Sequence, residues 1–182
     1  MPPKVKITKE QIILGAVELA RANESLTAAA LSKQLQCSTQ PIFSHFANMG
    51  EVKQAVLKQA EQEFTEFLRK PLPAVAPYKA TGLRYIQFAR TEPQLFALLF
   101  MSPRSATENM LNQNSSTEFL IELIRESEQL SQEQATEVYK IMWLFCHGIA
   151  TMIATQTVEI ADVEISQLLD TVFQNIRGGG KE

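Results

Sequence analysis

Residues 26–57 read LTAAALSKQLQCSTQPIFSHFANMGEVKQAVL, and this stretch decides the fold. Thr27 stands where it can cap a short helix, and Ala28, Leu31 and Leu35 line one side of that helix. Gln36-Cys37-Ser38 makes a turn. Ser38 is placed to cap a further short helix over about 39–45, with Ile42, Phe43 and Phe46 as its apolar contacts. Pro41 falls at about the third helical position, before an intrahelical N–H bond is due, so the helix tolerates it. Two short helices at a fixed angle suit DNA: one braces against phosphates while the other enters the major groove. The polar residues left over, Ser38, Thr39, Gln40, Ser44 and His45, cluster on or beside the second helix. Gln40 can present its amide to adenine, and Ser or Thr can reach base edges or phosphates. Short polar helices are also common in all-α proteins, so spacing alone leaves a plain helical surface open as well.

Helical spacing continues on both sides. Upstream, Ile12, Ile13, Ala16, Val17, Leu19 and Ala20 predict a helix over 9–22, with Thr8 as its cap. Downstream, residues 51–69 form a long helix that ends at Pro71, Pro73 and Pro77. Further helices are expected over 78–91, 95–100, 117–128, 131–155 and 163–177, with Ser131 and Gln134 resembling a capping box. Residues 104–116, rich in Asn, Gln and Ser, read as a loop, and Gly178-Gly179-Gly180 ends the last helix. No useful length alternates as a strand would. The fold class is therefore all-α. A three-helix N-terminal domain (1–50) is followed by a connecting helix (51–69) and a larger helical unit (70–182).

Charge is unevenly spread. Residues 1–60 carry seven of the 17 basic and four of the 20 acidic residues, so they hold +3 within a chain of net charge -3. The N-terminal third can meet a polyanion while the rest stays away from it. With 45% hydrophobic residues a sizeable core is possible. The two cysteines, Cys37 and Cys146, make a disulfide scaffold improbable, and Cys146-His147 lacks a second ligand pair for zinc. The apolar stretch 141–154 is too short to span a bilayer and interrupts itself at His147 and Gly148, so a cytoplasmic protein is expected. No phosphate-cradling glycine loop, nucleophile elbow or paired His-Glu-His spacing is present, and Cys146 and His147 point about 100° apart around a helix. These features argue against an enzyme, and no cofactor or metal is expected.

The run over 26–57 resembles the DNA-binding domain of the TetR family of bacterial transcriptional repressors. Leu26-Thr27 is similar to the family's opening of its second helix, and Cys37-Ser38 to its turn into the recognition helix. Ile42-Phe43-Ser44-His45-Phe46 resembles the strongest part of the pattern, an apolar residue, an aromatic, then His-Phe. The resemblance assigns Thr27, Ser38, Thr39, Gln40 and His45 to phosphate or base contacts and Phe46 to the core. Phe43, Ser44 and Lys53 complete the set expected at DNA. Two departures matter. Phe43 stands where the family usually has Tyr, losing a hydroxyl. Met49-Gly50 replaces a usual Lys-Glu or Lys-Asp pair, which removes a phosphate anchor and weakens a helix start. Lys53, one turn onward, can substitute.

LFMSPRS at 99–105, with Trp143, His147 and Gly148, resembles the Trp-His-Gly subgroup of the family's C-terminal domains. The resemblance implies a homodimer on palindromic operator DNA, acting as a repressor and released by a small-molecule effector. The helices near 131–155 and 163–177 expose enough apolar surface for a four-helix interface between copies. Phe96, Phe100, Met101, Tyr139, Trp143 and Met152 are expected to line an effector cavity, although such residues at helical spacing also suit plain core. His147 fits a hydrogen bond to a neighbouring helix better than a ligand contact, and Lys140 and Arg104 leave an anionic ligand open. The alternative function is a helical dimer that has lost operator binding and acts through protein contacts.

Overall fold

A computed structural model describes residues 7–102 and 115–178 of the chain. Every regular element among them is an α-helix: α1 (Lys9–Arg21), α2 (Ala28–Gln34), α3 (Gln40–His45), α4 (Met49–Arg69), α5 (Pro77–Thr91), α6 (Pro93–Phe100), α7 (Ser115–Glu128), α8 (Gln132–Ala154) and α9 (Asp162–Gly178). The all-α expectation and the order of helices hold. Lys4, Lys6, Arg104, the 104–114 part of the anticipated loop and Gly179-Gly180 lie outside the described residues. Ser115 and Ser116, expected at the loop's end, already belong to α7.

The chain divides into two compact units, one running to Phe64 and including Glu92–Ser102, the other comprising Thr65–Thr91 and the part after Ser102. In the first unit α1 packs on α2, α3 and α6. Ile12, Ala16 and Val17 of α1, Leu31 of α2, Ile42 of α3 and Leu95 of α6 are fully buried there. Chain order alone places α6 beside α5; its fully buried Leu95 and Phe96 instead serve the core of the N-terminal helices. Arg21, in the last turn of α1, binds the carboxylates of Glu18, Glu63 and Glu92, and so joins α1 to α4 and to the residue that precedes α6.

Local chemistry sets the helix ends. Thr8 and Gln11 form a capping box at α1, and Ser131 and Gln134 form another at α8. α1, α2, α7 and α8 each turn out through a left-handed residue, Asn23, Gln36, Gln129 and Gln156, with φ between 51° and 57°. An amide then reaches back across the turn, as Cys37 N–H does to Ser32 O at 2.9 Å. Asn48 precedes α4, and its Oδ1 accepts from Glu51 N–H at 3.1 Å while the Glu51 carboxylate accepts from Ala47 N–H at 3.0 Å. A Cβ at Gly50 would lie 2.8 Å from that Oδ1. The glycine expected to weaken this helix start therefore also makes room for its cap.

In the second unit α8 packs on α5, α7 and α9. Ala80, Ile86 and Ala89 of α5 and Ala135, Met142 and Ala150 of α8 are buried, as are Ile121, Ile124, Ile165 and Leu169. A Cβ at Gly82 would stand 3.3 Å from Cys146 Sγ, so the glycine permits the close approach of α5 to α8. Arg84 donates to the carbonyls of Lys70 and Pro71 and fastens the proline-rich stretch to α5.

Candidate functional site

The first candidate site is the outer side of α3. Ile42 and Phe46 turn inward, while Ser38, Thr39, Gln40, Phe43 and Ser44 are exposed together. α3 begins at Gln40 with Thr39 as its N-cap residue, no side chain caps it, and Pro41 is its second residue. The expected Ser38 cap is not formed: no side chain bonds the first amides of α3, although Thr39 already has helical φ/ψ. Ser38, Thr39 and Gln40 thus present their side chains to solvent.

The other residues are partly engaged. Thr27 Oγ1 accepts from Ala30 N–H at 3.1 Å, which leaves its own proton for a phosphate oxygen. Ser44 Oγ donates to Pro41 O at 2.7 Å, so only its lone pairs remain. His45 Nε2 is 3.1 Å from Ile7 O, which ties the segment before α1 to α3. Lys9 stands over the Phe46 ring at 5.0 Å. Phe43, 46% exposed, offers an apolar ring where a tyrosine would offer a hydroxyl. Lys53 is exposed on the first turns of α4.

The second candidate site lies wholly within the second unit. A cavity of about 240 Å³ opens among α5, α7, α8, α9 and the end of α4. Tyr78, Tyr85, Tyr139, Trp143, Met142 and Phe173 are among the residues of its wall, and Leu68 brings α4 to it. Tyr78 and Phe173 meet with ring centroids 5.7 Å apart. The Tyr85 hydroxyl and His147 Nδ1 share a hydrogen bond of 2.9 Å, and the Tyr139 and Thr117 hydroxyls are 3.4 Å apart. Burial, then the neighbouring Cys146 and Tyr139, raises the pKa of Tyr78 and of Tyr85. Burial pushes the Cys146 thiol up to about 12 and lowers His147, so the tyrosine hydroxyls, the thiol and the imidazole are neutral near pH 7.

The structure brings Tyr139 and Trp143 to the cavity and sets His147 behind them, stacked on Trp143. Phe96 and Phe100 lie in the first unit, 4.9 Å apart, with Phe64 against Phe100 at 5.0 Å. Met101 and Met152 are exposed at 43% and 41%. Sequence reasoning passed over Tyr78, Tyr85 and Phe173. Their one visible signal was the hydroxyl of the tyrosines, since phenylalanine would serve a plain core as well. Among the described residues no group of three or more His, Cys, Asp or Glu could hold a metal, and no helix is long and apolar enough to cross a membrane.

Comparison with known proteins fits this arrangement. A family model described as tetracyclin repressor-like, C-terminal domain, matches residues 78–175, which is more than half of the chain. The fold is similar to that of a TetR variant from Acinetobacter baumannii AYE, crystallised in complex with minocycline. The two share 15% identity over 97% of this chain and 100% of that chain, with a TM-score of 0.63. No curated protein matches the sequence.

Proposed function

The chain belongs to the tetracyclin repressor-like C-terminal domain family, and from that premise we propose that it is a transcriptional regulator. It binds palindromic operator DNA as a homodimer, acts as a repressor in the cytoplasm, and leaves DNA when a small-molecule effector fills the cavity. The observation that carries this reading is the exposed polar side of α3, Ser38-Thr39-Gln40 with Ser44, held against a core of Ile42 and Leu31. An amide beside hydroxyls on a short helix after a tight turn suits base edges and phosphates in a major groove. Lys53 and the Thr27 hydroxyl add phosphate contacts.

Two half-sites one helical turn apart require two copies. Ile141, Leu144 and Met152 recur along α8 at 38%, 55% and 41% exposure, and Val163 and Leu168 are exposed on α9. Gly148 lies on that α8 stripe with open space where its Cβ would be. A partner helix can approach closely there and cover the apolar side chains. Trp143, His147 and Gly148 on α8 also support membership of the Trp-His-Gly subgroup.

For release, α4 offers the route. It starts four residues after α3 and carries Leu68 to the cavity wall. A ligand that needs more room than the empty cavity favours a shifted α4, and so a changed spacing between the two readers. That a TetR variant of similar fold was crystallised in complex with minocycline supports a small-molecule effector.

Met49, which carries no charge, motivates the alternative of a dimer acting through protein contacts alone. A gel-shift assay with DNA from the gene's own promoter separates the two. The regulator gives a discrete shift that competitor DNA does not remove. An intact dimer with no sequence-specific shift at low salt would leave the alternative standing.

A further inference from the structure

All three tyrosines and the single tryptophan of the chain line one cavity, whereas only Phe173 of its ten phenylalanines does. A plain core would be filled as well by phenylalanine, without the desolvation cost of a hydroxyl. The polar tips are therefore concentrated where a bound molecule would meet them. Tyr85 is bonded to His147 and Tyr139 lies near Thr117. The Tyr78 hydroxyl has no hydrogen-bond partner among the described residues, although its ring packs on Phe173 at the cavity.

The charged residues of the wall answer one another. Lys79 Nζ is 2.6 Å from Asp170, and Arg177 is 2.7 Å from Glu128. Among the described residues of the wall no ammonium, guanidinium or carboxylate is left over to meet an ion. A charged ligand would lose its hydration without gaining a counter-ion. Size sets a further limit. An apolar cavity of about 150 Å³ takes benzene, so about 240 Å³ takes roughly ten non-hydrogen atoms in proportion.

We propose that the cavity takes an uncharged aromatic molecule of one or two rings, carrying a hydroxyl or similar group that hydrogen-bonds Tyr78. This rests on the reading of the cavity as the effector site, and it names the ligand's class.

Trp143 is the only tryptophan, so the emission of the full-length protein reports on this cavity alone. The probes are para-ethylphenol, the anion para-toluate and the cation para-methylbenzylammonium, each titrated at pH 7.5 by calorimetry and by Trp143 emission. The expected result is that para-ethylphenol binds and alters the emission, with both ions weaker by about tenfold or more. Tyr78→Phe keeps the ring and is expected to weaken para-ethylphenol by about three- to tenfold. Asp170→Asn at the exposed rim frees Lys79 and is expected to strengthen para-toluate by about two- to fivefold.

An ion that binds as tightly as the phenol overturns the proposal. So does para-ethylphenol binding without a change in Trp143 emission, or binding by none of the three probes. The operator gel shift is run without ligand, so the regulator reading can stand while this one fails.

Discussion

The indole of Trp143 lies flat on the imidazole of His147, with ring centroids 4.9 Å apart and planes 7° from parallel. The two residues are one helical turn apart on α8, the spacing at which side chains meet. His147 Nδ1 then reaches the Tyr85 hydroxyl on α5 at 2.9 Å. One imidazole thus ties α8 to α5 behind the cavity and fixes the ring that a ligand would touch.

Burial lowers the pKa of His147. The unfolded chain therefore takes up its proton first as pH falls, and stability drops from about pH 6.5 downward through the lower folded value. His147→Gln removes that component. Thermal melts at pH 7.5 and 5.5 should show a larger fall in Tm for the wild type than for His147→Gln. Equal falls would remove His147 from the account.

Arg21 holds three carboxylates, with Nε 3.0 Å from Glu92. Arg21→Met leaves those carboxylates facing one another and is expected to cost about 1–2 kcal/mol in urea denaturation, allowing for partial exposure. Arg21→Lys should recover only part of this, since a single ammonium nitrogen lacks the spread of Nε, Nη1 and Nη2 with which the guanidinium meets the three carboxylates. Full recovery by lysine would show that only the charge matters.

Asn48 and Gly50 act together at the start of α4. Asn48→Ala is expected to cost about 1 kcal/mol through the lost cap. Gly50→Ala in a helix normally gains about 0.5–1 kcal/mol. Here the new Cβ would crowd Asn48 Oδ1, so no gain is expected in the wild type. In the Asn48→Ala background the gain should return. A full gain in the wild type would contradict this.

Leu144 is 55% exposed on α8. If it faces only water, Leu144→Lys changes stability by less than about 0.5 kcal/mol and nothing else. If it faces a second copy, the substitution halves the mass seen by sedimentation or light scattering. Retention of the dimer would move the interface elsewhere.

The helices were legible because their signals are local. Thr8 as a cap and Ser131 with Gln134 announced α1 and α8, and apolar residues at helical spacing announced the rest. The exposed polar side of α3 was legible because Ile42 and Phe46 alternate with polar residues along a very short segment. The cavity was only partly so. Phe96 and Trp143 have the same apolar periodicity, yet Phe96 joins Phe100 in the first unit while Trp143 stands at the cavity. Periodicity states which face of a helix is buried and not which helix covers it. The non-glycine turns at Gln36, Gln129 and Gln156 were hidden for a related reason: the surrounding packing holds a left-handed residue whose own preference is against it.

The most direct test of the central claim is fluorescence anisotropy of a labelled promoter fragment, titrated with the wild type and with Gln40→Ala at one fixed salt concentration. The account predicts promoter binding tighter than random duplex by about 10³-fold or more. It also predicts that Gln40→Ala loses about tenfold or more on the promoter and little on random DNA. An intact dimer that binds both duplexes equally, with Gln40→Ala indistinguishable from wild type, would contradict it.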